Sequence, residues 1–319
     1  MQGMTHDMRT GLGFALLSAV TFGFSGTLAS PLLDAGWSPA AVVIIRIAVA
    51  STVLAVPAAI ALRGRWHLLR DNARLVAAYG CIVVAFTQFS YYSSVAHMDV
   101  AVALLIEYVA PVVVLGWLWA RHGQRPSRLT ALGAVLAVVG LVLVLDLFSG
   151  ADVSLVGIAW GLAAMLGCAV YFVLSAHPAT LPPLALAAGG MVVGGTVLSL
   201  AALLGLLELR AATSWVSYGG LAVPWWVPLL LVGIVSTAFA YICGIEAGRR
   251  LGSRLSSFAA LLEVVAALAV AWVLLGEAPA PVQALGGLGI LAGVVLVKLG
   301  EPAGETLVSE APVAPPVAA

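Results

Sequence analysis

The chain has 319 residues, of which 62% are hydrophobic and only 9% are charged. Because a soluble domain carries roughly 25% charged residues, this composition excludes a protein surrounded by water alone. The 14 basic and 14 acidic residues cancel, and this balance gives no reason to expect a nucleic acid partner.

Ten apolar stretches are each close to the length needed to cross a bilayer, which is about 20 residues. The first is expected to be a retained helix, because only Arg9 precedes it and no cleavage-like boundary follows. The sequence therefore predicts an all-α, polytopic membrane protein with ten transmembrane helices. In chain order they span roughly 10–33, 39–62, 74–96, 98–120, 128–148, 154–176, 182–207, 222–248, 252–276 and 282–299.

The basic residues predict the orientation of these helices. Cytoplasmic loops of membrane proteins accumulate Lys and Arg. With the N-terminus inside, twelve of the fourteen basic residues fall on the cytoplasmic side, Arg210 falls outside and Arg46 lies within helix 2. Both termini are therefore expected in the cytoplasm. Residues 300–319 are rich in Pro, Ala and Glu, which predicts a disordered cytoplasmic tail.

The sequence also repeats itself. A shift of 144 residues aligns helix 1 with helix 6, and a shift of 153 aligns helix 5 with helix 10. The first shift superimposes Gly13, Ala15, Ala19 and Gly23 on Gly157, Ala159, Ala163 and Gly167. We predict a first five-helix repeat at 10–148 and a second at 154–299. Because each repeat has an odd number of crossings, the second is inverted, as in many secondary transporters.

Three short motifs resemble those of a known family. Leu275-Gly276-Glu277 ends helix 9, and helices 5 and 10 carry matching glycine pairs, Gly133…Gly140 and Gly286…Gly293. With the paired halves, these motifs resemble the ten-helix EamA-type branch of the drug/metabolite transporter superfamily over residues 10–299. Glu107-Tyr108-Val109-Ala110-Pro111 is similar to the Glu-aromatic-X-X-Pro element of bacterial amino-acid exporters. The first half departs from the family where Arg121-His122 replaces the usual Gly-Glu.

The resemblance implies a secondary transporter of the bacterial inner membrane that works by alternating access. Helices 1–4 and 6–9 would surround a central cavity, with helices 5 and 10 behind them. It implies export of small metabolites, with amino acids, including aromatic ones, as the favoured class. The expected partners are this small molecule and the lipid bilayer, with protons an open alternative. The oligomeric state is left between a monomer and a weak homodimer.

Three charged residues lie at depths where insertion costs at least ~2.5–3.5 kcal/mol each. Glu107 and Glu263 are 156 residues apart, at matching positions of the two repeats, and Arg46 lies at a depth similar to that of Glu107. One interpretation is structural: Arg46 and Glu107 neutralise each other, and Glu263 bonds to the backbone or stays protonated. The other is functional: the acids bind an ammonium or protons, and Arg46 supplies the countercharge for a carboxylate. The sequence leaves both open.

Polar and aromatic side chains accompany these charges in the apolar helices. A wall of aromatic faces suits an aromatic or apolar metabolite, whereas tryptophans at span ends are expected to be interfacial anchors. The anchors are Trp37, Trp66, Trp215, Trp225 and Trp226. The predicted substrate-binding residues are Arg46, Gln88, Tyr92, Glu107, Tyr108, Trp160, Tyr171, Tyr241 and Glu263.

Other classes of protein are less well supported. An ATP-binding loop needs a lysine before Ser or Thr, but the single lysine, Lys298, precedes Leu299. Gly23-Phe24-Ser25-Gly26 matches a serine-protease motif, yet no histidine lies at membrane depth to act as its base. No filter-like segment favours a channel, and three separated cysteines predict no metal site or cofactor. A non-enzymatic carrier is expected, with sugars, nucleotide sugars or drugs as alternative cargo.

Overall fold

The computed structural model describes residues 2–122, 127–144, 154–175 and 180–300, and these are mostly helical. Parts of two predicted boundaries, residues 145–148 and 176, and the predicted tail after Gly300 lie outside these residues. The helices are α1 Gln2–Asp34, α2 Pro39–Leu62, α3 His67–Asp71, α4 Ala73–Ala78, π1 Tyr79–Thr87, α5 Gln88–Val95, α6 Val100–Glu107, α7 Ala110–His122, α8 Arg128–Val144, α9 Leu155–Ser175, α10 Pro183–Leu203, α11 Trp226–Gly233, π2 Ile234–Phe239, α12 Ala240–Leu275 and α13 Pro281–Gly300. Here π1 and π2 denote π-helical segments.

Among the described residues, seven helical passages are long and apolar enough to cross a membrane, and three further apolar helices are shorter. Together these are ten apolar helical segments, the predicted number of crossings, and they confirm the predicted all-α, polytopic fold. The long passages are Arg9–Asp34, Pro39–Leu62, Ala73–Val95, Val100–Arg121, Leu155–Leu174, Pro183–Leu203 and Trp226–Leu251, and the shorter helices are Arg128–Val144, Leu261–Leu275 and Pro281–Val297.

The predicted break between helices 8 and 9 lies within α12, which is helical throughout. Its contacts with α1 show that it nevertheless folds back on itself. The Ser18 hydroxyl donates to the Ala240 carbonyl at 2.9 Å, and a Cβ added at Gly23 would lie 2.9 Å from the Ala267 nitrogen. In a straight helix Ala240 and Ala267 would be about 40 Å apart. The two ends of α12 therefore belong to crossings 8 and 9, where crossings 1–10 are numbered as the ten predicted helices, and both ends pack on α1.

The last helix of each half meets the other across four glycines. A Cβ at Gly133 would lie 2.5 Å from the Gly293 carbonyl oxygen, and one at Gly140 would lie 2.6 Å from that of Gly286. Residue numbers rise along α8 as they fall along α13, so the two helices are antiparallel. At the 153-residue shift Gly133 corresponds to Gly286 and Gly140 to Gly293. The two contacts therefore exchange under a twofold axis, as expected for inverted repeats.

The start of predicted helix 8 is wrong. Residues 216–223 form a hairpin, in which Val216–Tyr218 (β1) pairs antiparallel with Leu221–Val223 (β2). Gly219 and Gly220 have φ of +55° and +90°, a conformation that favours glycine in a two-residue hairpin turn. The Tyr218 hydroxyl donates to the Leu28 carbonyl at 2.6 Å, which ties the hairpin to α1.

Candidate substrate site

Arg46 of α2 lies in the interior of the helix bundle, with a relative exposure of 2%. Its Nε donates to Thr237 Oγ1 at 2.6 Å, and its Nη1 donates to Gln88 Oε1 at 2.7 Å and to the Tyr92 hydroxyl at 2.8 Å. The guanidinium carbon also lies 5.3 Å from the centre of the Tyr92 ring. Arg46 therefore joins three crossings through neutral partners rather than through an ion pair.

Tyr92 extends this network to α1. Its hydroxyl lies 2.8 Å from the Ser25 hydroxyl, and its side chain is fully buried. Tyr91 packs edge-on against it, with ring centres 5.3 Å apart. Ser25, which belonged to the protease-like motif in the sequence, is therefore one of the groups that position Tyr92.

The two predicted acids belong to the same central cluster. The Tyr108 hydroxyl donates to Glu263 Oε2 at 2.8 Å, which links crossing 4 to crossing 9. Glu107 is close enough to interact electrostatically with both Glu263 and Arg46, and Glu263 also interacts with Arg46. As whole residues, both glutamates are partly buried. One cation and two acids therefore share a cluster, in which the described hydrogen bonds of Arg46 and of Glu263 are to neutral side chains.

The helix breaks beside Glu107. Helix α6 ends at Glu107 and α7 begins at Ala110, and the Val109 N–H bonds the Ile106 carbonyl at 3.2 Å, three residues back. Pro111 explains the break, because it has no N–H with which to bond the carbonyl four residues before it. That carbonyl is the one of Glu107. Discontinuous helices of this kind form the binding sites of many transporters.

The predicted tyrosines Tyr171 and Tyr241 meet at a third residue, Tyr79 of π1. The rings of Tyr79 and Tyr171 are 6.3 Å apart and edge-on, and the Tyr79 side chain interacts electrostatically with that of Tyr241. Tyr241 also packs edge-on against Phe22 at 5.2 Å and interacts with Arg46 and Glu263. These contacts place both predicted tyrosines in the aromatic surroundings of the charged cluster.

Trp160 is the predicted residue with the weakest connection to the cluster. Its ring packs edge-on against Phe89, with centres 5.4 Å apart. Phe89 follows Gln88 in α5, so Trp160 lies behind a residue of the cluster. Its described contact is with another aromatic ring, not with the charged groups.

Two threonines occupy matching positions in the π-helical segments. Thr87 Oγ1 donates to the Ile82 carbonyl at 2.9 Å, and Thr237 Oγ1 donates to the Val232 carbonyl at 2.7 Å. In each case the acceptor is five residues back. The two threonines are 150 residues apart, between the shifts of 144 and 153 that relate the flanking helices. The same local structure therefore recurs in crossings 3 and 8.

The charges do not all follow this symmetry. Glu107 and Glu263 correspond, but the 144-residue shift places Gly190 opposite Arg46. At Gly190 the space of a side chain is filled by Tyr79, whose Cδ1 would lie 2.6 Å from an added Cβ. The cluster thus has two related acids but a single arginine, and it can present opposite charges to the two ends of one ligand.

Two polar residues of the cluster were missed in the sequence, Thr237 and Tyr79. Threonine hydroxyls in apolar helices commonly bond their own backbone, so nothing in the sequence distinguished Thr237. Tyr79 lies near the inner end of its span, where aromatic anchors are common. Among the described residues, no three His, Cys, Asp or Glu side chains are grouped to hold a metal ion.

Residues 9–146 and 155–299 each match the EamA-like transporter family. The chain belongs to this family. The two matches fall on the two halves and make this EamA-like protein a multi-pass membrane transporter of the drug/metabolite type. A solved structure titled only "Crystal structure of protein" matches with a TM-score of 0.62 and 19% identity, over 91% of this chain and 97% of that chain. That likeness shows the fold alone, and no curated protein matches the chain.

Proposed function

We propose that this EamA-like protein exports amino acids, including aromatic ones, across the bacterial inner membrane by alternating access. The observation that carries the proposal is the grouping of Arg46 with Glu107 and Glu263 in one cluster. An amino acid carries its carboxylate and its ammonium on the same carbon atom. A site with one fixed cation and separate acids matches that pair of charges.

Arg46 is the proposed group for the carboxylate. Arginine binds carboxylates through several N–H donors in a fixed plane, and three of its five are already engaged by Thr237, Gln88 and Tyr92. Among the described residues none accepts a hydrogen bond from Nη2, so its two donors remain for a ligand. A buried arginine held only by neutral groups gains most from an anion that enters the site.

Glu107 and Glu263 are the proposed groups for the ammonium. Glu263 already accepts a hydrogen bond from Tyr108, which orients one of its oxygens and leaves the other for a ligand or a proton. Two neighbouring acids repel each other when both are ionised. An entering ammonium or a proton relieves that repulsion, so substrate binding and proton binding would compete at these acids.

The tyrosines around the cluster suit an aromatic side chain. Tyr79, Tyr171 and Tyr241 contribute ring faces and edges beside the charged groups. Aromatic pairs in offset or edge-on geometry contribute about 0.5–1.5 kcal/mol beyond the area that they bury. We therefore include aromatic amino acids in the proposed substrate class.

Alternating access is supported by the repeated packing of the two halves. Crossing 1 (α1) packs on crossings 8 and 9, and crossing 6 (α9) packs on crossings 3 and 4. These two sets of contacts exchange when the halves exchange. Opening one set while the other stays closed would expose the central cluster to one side of the membrane at a time.

The test is counterflow in proteoliposomes with a panel of amino acids, sugars and nucleotide sugars. We expect saturable exchange of amino acids, with phenylalanine, tryptophan or threonine among them. Exchange of a sugar or nucleotide sugar in place of amino acids would contradict the proposed substrate class. A steady current without saturation would contradict the carrier mechanism itself.

A further inference from the structure

We infer that Thr237 is a positioning residue that orients the Arg46 guanidinium toward the carboxylate of the substrate. The inference rests on the proposed function, in which Arg46 binds that carboxylate. It assigns a role in substrate selection to a neutral residue of crossing 8, which reaches the site only through Arg46.

The direction of the hydrogen bonds fixes what Thr237 does. A threonine hydroxyl has one proton and two acceptor lone pairs. That proton is donated to the Val232 carbonyl at 2.7 Å. The lone pairs therefore face the Arg46 Nε–H, which they accept at 2.6 Å. Thr237 can act only as an acceptor toward Arg46, and its acceptor direction is set by the helix backbone.

This contact determines where the free edge of the guanidinium points. With Nε held by Thr237, the planar group can turn only about that bond. The two Nη1 protons are taken by Gln88 and Tyr92. Both Nη2 donors then extend from the remaining corner of the guanidinium. Without the Thr237 contact, Nε–H would lack an acceptor, and the guanidinium, held through Nη1 alone, could tilt so that Nε and Nη2 face other oxygens.

The π-helical segment is what brings Thr237 into place. Ordinary α-helical threonines of this chain bond the carbonyl four residues back, as Thr52 does with Ala48 and Thr196 with Val192. Thr237 instead bonds the fifth residue back. The wider π-turn displaces the side chains that follow it by one residue relative to an α-helix. π-Turns are frequent at functional sites for this reason.

The other repeat supplies a natural control. Thr87 makes the same bond five residues back, but Gly190 stands where the first repeat has Arg46. Thr87 therefore shares the structural role of Thr237 and has no corresponding arginine to orient. If Thr237 only stabilised its π-turn, the two threonines would respond alike to substitution.

The test compares Thr237→Val, which keeps the shape but removes the hydroxyl, with Thr237→Ser, which keeps the hydroxyl. Thr87→Val is the matched control. Each purified variant in proteoliposomes is assayed for inhibition of phenylalanine counterflow by phenylalanine and by phenylalaninamide, which lacks the carboxylate. The readout is the ratio of the two inhibition constants, which a loss of active protein does not change.

We expect Thr237→Val to reduce the preference for the carboxylate about tenfold, the effect of losing one hydrogen bond to a charged group. Thr237→Ser and Thr87→Val should keep the wild-type ratio. An unchanged ratio in Thr237→Val would overturn the inference, as would an equal reduction in Thr87→Val. If Thr237→Val does not assemble, the same ratio is measured for Thr237→Ala, with the same expected reduction. A wild-type protein that shows no preference for the carboxylate would instead contradict the proposed function.

Discussion

Arg46 is the residue on which the central cluster depends. It is nearly inaccessible, yet the bonds that hold it are to a hydroxyl, an amide oxygen and a phenol rather than to a carboxylate. Burying a charge without a direct counterion is costly. The nearby acids offset part of that cost at a distance, and a bound anion would offset more. The electrostatic interaction between Arg46 and Glu107 is also what the structural interpretation, mutual neutralisation, requires, so the substitutions below have to distinguish the two interpretations.

The first prediction concerns the shape of this cation. A lysine at position 46 keeps the charge but has a compact ammonium in place of the planar fork. It cannot reach Thr237, Gln88 and Tyr92 in their present geometry while presenting donors to a ligand. We expect Arg46→Lys to raise the KM for amino-acid counterflow at least about tenfold. A wild-type KM in Arg46→Lys would show that charge alone is sufficient.

The second prediction concerns the two acids. Glu107→Gln and Glu263→Gln keep size and hydrogen-bonding capacity but remove the negative charge. We expect both variants to assemble normally and to lose transport in proteoliposomes. Assembly is checked by gel filtration of the purified variants in detergent. Full transport by both variants would show that the acids are structural.

Residues of this site could be predicted from the sequence to the extent that they were out of place in apolar helices. Arg46, Glu107 and Glu263 were detected because charges at membrane depth are costly. Trp37, predicted to be an interfacial anchor from its position at a span end, is instead buried. Its exposure is 5%, and its indole donates to the Ala212 carbonyl of the loop that carries the hairpin, at 2.8 Å.

At the scale of elements, the site is formed by interruptions of regular helices. Crossings 3 and 8 contain π1 and π2, and crossing 4 breaks between α6 and α7. Only the last of these has a clear sequence signal, Pro111. The π-segments depend on tertiary contacts, because residues of ordinary helix propensity fill them. The predicted helix 8 began at residue 222 and so included the last two residues of the hairpin, Ala222 and Val223, because both are apolar.

The third prediction concerns the break in crossing 4. Pro111→Ala supplies the missing N–H, which allows a continuous helix and a bond to the Glu107 carbonyl. We expect a higher thermal unfolding temperature in detergent and a transport rate reduced several-fold, because Tyr108 and Glu107 would be turned away from Glu263 and Arg46. Pro57→Ala in α2, within an unbroken helix, is the control. Unchanged transport in Pro111→Ala would contradict a role for the break.

The fourth prediction concerns the end of crossing 9, where Glu277 accepts a hydrogen bond from the Val100 N–H at 3.0 Å. Burial, with a smaller contribution from the neighbouring Asp99 and Asp34, raises the pKa of Glu277 to about 7, although the bond from Val100 acts to lower it. Because this pKa is raised on folding, the folded state binds more protons than the unfolded state between pH 4.5 and 7.

The contribution of Glu277 to stability should therefore fall as the pH rises from about 4.5 to 7 and then stay constant. Glutamine keeps the acceptor for Val100 but cannot ionise. We expect Glu277→Gln to have a higher unfolding temperature than the wild type at pH 8 and a similar one at pH 4.5. Equal differences at both pH values would show that ionisation of Glu277 has no effect. Thermal unfolding in detergent across this range provides the measurement.

At the scale of the whole molecule, the packing of the two halves is symmetric, but the charges of the central site are not. The glycine contacts between α8 and α13, the matching threonines and the paired acids all follow the twofold relation of the halves. The sequence predicted the repeat because closely packed residues, such as the glycines of α8 and α13, align when the sequence is shifted against itself. It did not predict the asymmetry, because the significance of Gly190 appears only when its surroundings, occupied by Tyr79, are compared with those of Arg46.

The central proposal is that Arg46 binds the carboxylate of an amino acid and that Glu107, together with Glu263, binds its ammonium. The most direct test is inhibition of the binding of labelled phenylalanine to the purified protein in detergent, which requires no transport, by phenylalaninamide and by 3-phenylpropanoate, each of which lacks one of the two charges. The wild type should prefer phenylalanine to both. Arg46→Gln should lose only the preference over phenylalaninamide, and Glu107→Gln only the preference over 3-phenylpropanoate. Equal inhibition of the wild type by all three compounds would contradict the account.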